Sequence, residues 1–244
     1  MTRNIKAIVE YDGTDYRGWQ EQPFGKTIEG EIIKALKNVT GEKIKTYGSG
    51  RTDAGVHSYG QTFSFKVECS IPCENMLFAV NRRLPDAINI VSMEEVDMDF
   101  HARYSANGKI YTYKINNGSF DPFISRFNYH YVNKLDVEKM EKASMAMIGK
   151  KDFKSFMASG SEVKDTIREV FSINFRKKND IIEIDFYGSG FLYNMVRIMA
   201  SLLVQAGEGK VDFDAVNDII LAKNRQKARH TAPSNGLFLK KVLY

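Results

Sequence analysis

Cysteine is almost absent from this 244-residue chain, and the two that occur, Cys69 and Cys73, are separated by Ser-Ile-Pro. That spacing is neither a C-x-x-C redox pair nor half of a zinc site with a second pair elsewhere, so both read as reduced and structural. Histidine is equally sparse. His57, His101, His130 and His230 are scattered, none within three or four residues of another histidine or of a cysteine. A protein-held metal therefore has no ligand cluster to occupy. Long hydrophobic runs are missing too: the most apolar stretch, residues 191–206, is broken by Asn194, Arg197 and Gln205. No stretch has the order of a signal peptide, so the expectation is a cytoplasmic protein with no membrane segment.

What is present is enough apolar sequence, 43% of residues, to bury a proper core. The formal charge of +5 suits a polyanionic partner but decides nothing alone. Its distribution is more informative. Arg82-Arg83, Lys150-Lys151, Arg176-Lys177-Lys178 and the segment 223–230 (KNRQKARH) are separated by long mixed-charge stretches, which implies several basic patches on a broad surface.

Apolar alternation over residues 5–10 predicts a first strand, followed by a turn at Asp12-Gly13-Thr14 and a loop holding Trp19 and Pro23. A helix is expected from Thr27, which takes the N-cap position ahead of Ile28, Ile32, Ile33, Leu36 and Val39 at helical spacing. Gly30 stands where a capping box would place Glu. A short strand near 43–47, a Gly-rich loop, a strand over 61–67, a helix around 74–83 and a strand over 88–96 complete a βαββαβ order. The second half repeats that order with a strand over 109–115, a helix over 137–148, strands over 166–175 and 181–187, a helix over 191–206 and a last strand over 237–243. Two insertions lengthen it, a Ser/Lys-rich loop over 149–165 and an extra helix over 213–222 ahead of the basic segment. The expected fold class is α+β, with two ferredoxin-like, RRM-like βαββαβ domains over residues 1–105 and 106–244.

Three features carry chemistry. The loop Gly48-Ser49-Gly50-Arg51-Thr52-Asp53-Ala54-Gly55-Val56-His57 has glycines that permit turns and close backbone approach. It has no G-K-[ST] ending and no dinucleotide fingerprint, so phosphate cradling is not its chemistry. It offers an Arg and an Asp two residues apart, although an Asp in a plain turn also serves to bond its own backbone. The strand Lys109-Ile110-Tyr111-Thr112-Tyr113 sets Lys109, Tyr111 and Tyr113 on one face. Such a face is either core or the uncovered side of a ferredoxin-like sheet, where single-stranded bases can stack. Third, Tyr193, Asn194, Arg197 and Ser201 give the helix over 191–206 one polar stripe. A solvent face would explain it. A cleft lining would too, and there a buried guanidinium needs a carboxylate, for which Asp53 is the candidate.

Taken together, Tyr11-Asp12-Gly13 with Gly18-Trp19-Gln20, the block 50–57, Asp99-Phe100-His101-Ala102-Arg103 with Ser105-Ala106, Lys109 to Tyr113, and Asn194-Met195-Val196-Arg197 resemble the tRNA pseudouridine synthase A family. The blocks run in the family's order, along the whole chain. The resemblance implies a homodimer, two ferredoxin-like domains sharing an extended antiparallel sheet, and isomerisation of uridine to pseudouridine at tRNA positions 38–40. Carried over by motif, Asp53 is the catalytic aspartate and Tyr111 stacks on the target base. Arg51 and Arg197 hold the aspartate and the cleft, while His101, Arg103, Lys109 and Asn194 join Tyr111 in contacting substrate. Ser49 departs from the alanine of many relatives.

The chemistry so implied needs no cofactor. A carboxylate near C1′ or C6 must be ionised and unhydrated, which an adjacent guanidinium favours, and the uridine must leave its stack to reach it. Two other classes compete. A non-catalytic RNA-binding protein of two RRM-like domains would explain charge and aromatics, but it needs no Asp beside RNA, and neither half has an RNP1-type aromatic run. A metal-dependent nuclease would want clustered carboxylates, and the Asp53 motif holds no others.

Overall fold

The computed structural model describes residues 1–160 and 163–244. The Ser/Lys-rich insertion expected over 149–165 therefore lies partly outside the described residues. Its first part is not a loop, because Gly149–Asp152 forms a strand. The chain divides into two compact units, Met1–Asn107 with Phe238–Tyr244, and Gly108–Leu237.

The first unit is built from β1 (Arg3–Tyr11), α1 (Ile28–Thr40), β2 (Thr46–Gly48), β3 (His57–Val67), α2 (Cys73–Asn81) and β4 (Ile88–Val96). Thr27 caps α1 as its side chain predicts, with Oγ1 accepting from the Gly30 amide at 3.2 Å. Gly41, in the left-handed region at φ 75°, ends the helix. Strand order runs β4-β1-β3, with β2 also on β3. Alternation sends Ile5, Ala7, Val9, Phe63 and Phe65 into one core with Ile28, Ile32 and Leu36 of α1 and Met76 and Val80 of α2.

The second unit contains β5 (Gly108–Asn116), β6 (Tyr129–His130), α3 (Val137–Ser144), β7 (Gly149–Asp152), β8 (Ile167–Lys178), β9 (Ile181–Gly188), α4 (Met195–Gly207) and α5 (Phe213–Leu221). Its strands run β5-β9-β8-β7, with β6 on β5. The final strand, β10 (Leu237–Leu243), was expected with this half, yet from Phe238 onward it groups with the first unit. The reason is local packing. Phe238 stacks on His57 and Tyr59 at ring distances of 4.7 and 4.8 Å, and the Ser58 hydroxyl donates to the Leu239 carbonyl at 3.0 Å.

Phe238 and Leu239 pair with His57 and Ser58 in parallel, as β6 does with β5. Each unit is thus a mixed α/β fold with a mixed sheet, and the expectation of purely antiparallel strands is corrected. A parallel partner requires a return connection, which residues 117–128 supply between β5 and β6 and the long stretch from α2 onward supplies between β3 and β10. No helix among the described residues is long and apolar enough to cross a membrane.

Candidate active site

The Asp53 loop joins β2 to β3, and nearly all of its anchors are backbone or short polar groups. At its start the Ser49 hydroxyl donates to Gln61 Oε1 at 2.6 Å, and Gln61 Nε2 donates to the Gly50 carbonyl at 2.9 Å. In its middle the Thr52 carbonyl accepts from the Trp19 amide at 3.1 Å, and the Thr52 hydroxyl meets the Tyr11 hydroxyl at 2.8 Å. At its end the Gly55 amide donates to the Tyr16 carbonyl, and the Val56 amide closes the turn on the Asp53 carbonyl. The segment 11–19 therefore lies directly against the loop. That approach requires glycine at two places: a Cβ on Gly13 would sit 2.0 Å from the Val56 carbonyl oxygen, and one on Gly18, at φ 89°, 2.4 Å from that of Thr52. Trp19, 1% exposed, seals the underside against Tyr11 and Phe63. Burial drives the Tyr11 hydroxyl well above its ordinary pKa, so it stays protonated as a partner for Thr52. On this support Asp53 is half-buried between buried Thr52 and exposed Ala54.

Arg51, expected to hold the aspartate, places Nε 3.1 Å from Gln20 Oε1. Gln20 in turn donates to Glu29, a buried carboxylate on α1 that also accepts from the Glu21 amide and the Thr46 hydroxyl. The chain Arg51–Gln20–Glu29 ties loop, α1 and β2 together, and neither Gln20 nor Glu29 has a sequence signal for that role. His57, the last residue of the loop motif, also takes a bracing role. Its Nδ1 lies 3.1 Å from the Gly13 amide and 3.2 Å from Asp12 Oδ1, bracing the turn that approaches the loop.

His101 and Arg103 are brought together on the segment after β4, where the Arg103 amide donates to His101 Nδ1 at 3.1 Å. The imidazole packs between Tyr47 at 4.9 Å and Tyr104 at 4.4 Å, and the Arg103 guanidinium lies over the Tyr104 ring.

In the second unit Lys109, Tyr111 and Tyr113 share one face of β5. This is a packed face. Tyr113 is fully buried and donates from its hydroxyl to the Pro233 carbonyl at 2.8 Å, while Tyr111 retains 8% exposure with its ring edge-on to Phe191. Burial raises the Tyr113 pKa well above its ordinary value, and the nearby Arg197 charge opposes that rise. Both tyrosines thus belong to the buried core, Tyr113 wholly and Tyr111 with 8% of its surface left to solvent.

The predicted polar stripe is shorter than expected, because α4 begins at Met195. Asn194 sits before it at φ 58°, a left-handed conformation that asparagine tolerates, and Tyr193 lies outside the helix. Asn194 and Arg197 are brought together: the guanidinium donates to Asn194 Oδ1 at 2.7 Å and to the Ala232 carbonyl at 2.8 Å. The Ala232 amide returns a bond to the Arg197 carbonyl.

The basic segment 223–230 is less available than its charge suggests. Arg225 turns inward to the Ala228 carbonyl and the Thr231 hydroxyl, and burial lowers its pKa. Lys223 pairs with Asp152 at 3.0 Å.

The family described as tRNA pseudouridine synthase matches residues 7–105 and 143–244. A protein of Acetivibrio thermocellus named tRNA pseudouridine synthase A is 44% identical over 243 residues, covering 99% of this chain and 100% of its own. Proteins of the same name from Clostridium botulinum and Caldicellulosiruptor saccharolyticus are each 45% identical, with the same coverage. The matched region contains the Asp53 loop, the segment with His101 and Arg103, and the Asn194–Arg197 turn; this chain belongs to the tRNA pseudouridine synthase family.

Proposed function

We propose that this chain isomerises uridine to pseudouridine in the anticodon stem-loop of tRNA, at positions 38–40, with Asp53 as the catalytic carboxylate. The observation that carries the residue assignment is the loop itself. Backbone contacts from segment 11–19 hold the loop, with Asp53 half-buried between buried Thr52 and exposed Ala54. The reaction breaks the N1–C1′ bond, turns the uracil and joins C5 to C1′. C5 loses a proton and N1 gains one, so no oxidant, reductant or net water enters. A carboxylate at fixed position supplies the covalent or electrostatic assistance such a step needs, and no cofactor is called for. Tyr111, which retains 8% exposure, is assigned to receive the extruded base, and Arg51, His101, Arg103, Lys109, Asn194 and Arg197 to supply positive charge and hydrogen bonds around the substrate.

The strand order β4-β1-β3-β2 with α1 and α2 supports a ferredoxin-like reading of the first unit. We extend that reading to the second half, and to a homodimer working in the cytoplasm; light scattering tests the dimer. Incubating the protein with unmodified tRNA transcript in EDTA tests the activity. The expected product is a uridine of unchanged mass that becomes reactive to carbodiimide within positions 38–40. Conversion that EDTA abolishes would contradict the cofactor-free reading, and a transcript that stays unreactive would contradict the activity.

A further inference from the structure

On the first unit's sheet, Ile5, Ala7, Phe63 and Phe65 face the core beneath the helices. The alternate residues Asn4, Lys6, Ser64 and Lys66 therefore face the other way. Tyr47 pairs with Ser64, so Tyr47 and Lys45 share that outer face. The segment after β4 crosses part of it. The Asn4 amide donates to the carbonyls of Asp97 and Phe100, and Ser64 Oγ accepts from the Ala102 amide. Between segment and strands lies a recess of about 370 Å³ whose lining includes Lys43, Lys45, Lys66, Tyr47 and His101, with Asp99 as its one carboxylate.

Two features of this face are costly to the fold alone. Lys45, just before β2, and Lys66, just after Phe65, flank the terminal Thr46–Phe65 pair, and like charges close together on a strand pair destabilise. Lys6 and Arg3 on the neighbouring strand are each matched by a glutamate at 2.8 Å, whereas Lys43, Lys45 and Lys66 make no ion pair among the described residues. Tyr104, at the end of the Tyr47–His101–Tyr104 ladder, is 78% exposed. Cations flank the ladder, Lys45 lying 5.2 Å from the Tyr47 ring and Arg103 5.9 Å from that of Tyr104.

We infer that this face extends the RNA contacts proposed for His101 and Arg103 beyond the Asp53 loop, with Lys43, Lys45 and Lys66 taking phosphates of the tRNA backbone and the exposed end of the ladder taking an unstacked base. The inference rests on the tRNA reading above. An acidic protein partner would use the lysines but leave the planar rings without a role; single-stranded nucleic acid uses both. The chain also runs directly from this face into the candidate site, since β2 ends at Gly48 where the Asp53 loop begins.

The test uses the full chain, unmodified tRNA transcript, and the variants Lys45→Gln/Lys66→Gln and Tyr104→Ser. The double variant should weaken tRNA binding about tenfold and make the salt dependence shallower by roughly 1.5 in log–log slope, for two lost phosphate contacts. Tyr104→Ser should weaken binding at least about fivefold with the slope unchanged. The double variant should melt no lower than the parent, because a repulsive pair has been removed. Binding and slope equal to the parent in both variants would overturn the inference. So would a changed oligomeric mass with unchanged tRNA binding, which would make the face a contact between copies. Uridine conversion by the parent is measured alongside: a parent that converts while both variants bind normally rejects this surface alone, and a parent that converts nothing rejects the tRNA reading beneath it.

Discussion

The loop of Asp53 and the turn of Arg197 are both small polar sites, and they are held in opposite ways. Around Asp53 the neighbouring segment comes so close, backbone to backbone, that Gly13 and Gly18 cannot carry a side chain. Around Arg197 the opposite holds: one long side chain reaches Ala232, 35 residues away, and Asn194, and these bonds define the turn. A site built by exclusion fails when atoms are added, and a site built by donation fails when donors are removed.

The largest effect follows from exclusion. Gly13→Ala places a methyl 2.0 Å from the Val56 carbonyl oxygen. It should cost about 3 kcal/mol or more, lower the melting temperature by roughly 6–12 °C and remove conversion along with stability. A variant melting within about 2 °C of the parent would show that the loop adapts and that the contrast is wrong. Arg197→Met should come next. It leaves the Ala232 carbonyl and Asn194 Oδ1 without their donor, at about 1–3 kcal/mol in denaturant titration, with little movement of backbone.

Tyr111 tests the same idea at a ring. Tyr111→Leu should lose about 0.5–1.5 kcal/mol of edge-to-face contact with Phe191 and most of the conversion rate, whereas Tyr111→Phe keeps the ring and should keep much of both. Equal loss of rate in the two would give the hydroxyl a part in proton transfer. The smallest effect belongs to Glu208, which follows the last turn of α4. Lys210 above all, then Asn133 and Tyr131, hold its carboxyl down at about 2. A lowered folded pKa means that its contribution is complete above the ordinary carboxylate value of about 4.3 and is lost as pH falls toward about 2. The stability difference between parent and Glu208→Gln, under about 1 kcal/mol for a pair with an exposed lysine, should therefore shrink across that window. A difference independent of pH would remove the ion pair from the account.

These contrasts also explain what could be read in the sequence. Exclusion leaves a local trace, since the glycines at 13, 18, 50 and 55 mark the loop and its approach by residue type alone. Periodicity likewise locates β4 and β10 at their observed bounds, and Thr27 marks the start of α1. Donation over long separations leaves none. Nothing in the order of residues announces that Arg197 bonds Ala232, that Arg51 turns to Gln20, or that Arg225 is folded inward instead of joining a basic patch. The helix expected from 191 starts four residues late because Asn194 adopts a left-handed conformation, which its residue type permits but does not require. Strand β7 inside the Ser/Lys-rich insertion, and the parallel contact of β10 with β3, depend on partners far along the chain.

Tritium release from tRNA carrying 5-tritiated uridine, compared between the parent and Asp53→Asn, tests the central claim most directly. Asn matches the carboxylate in shape, so the melting temperature should stay within a few degrees, and tRNA binding should be equal or slightly tighter because one negative charge no longer faces phosphate. The amide is a poor nucleophile, and release should fall to background. A variant that folds, binds and still releases tritium near the parental rate would contradict the assignment of Asp53.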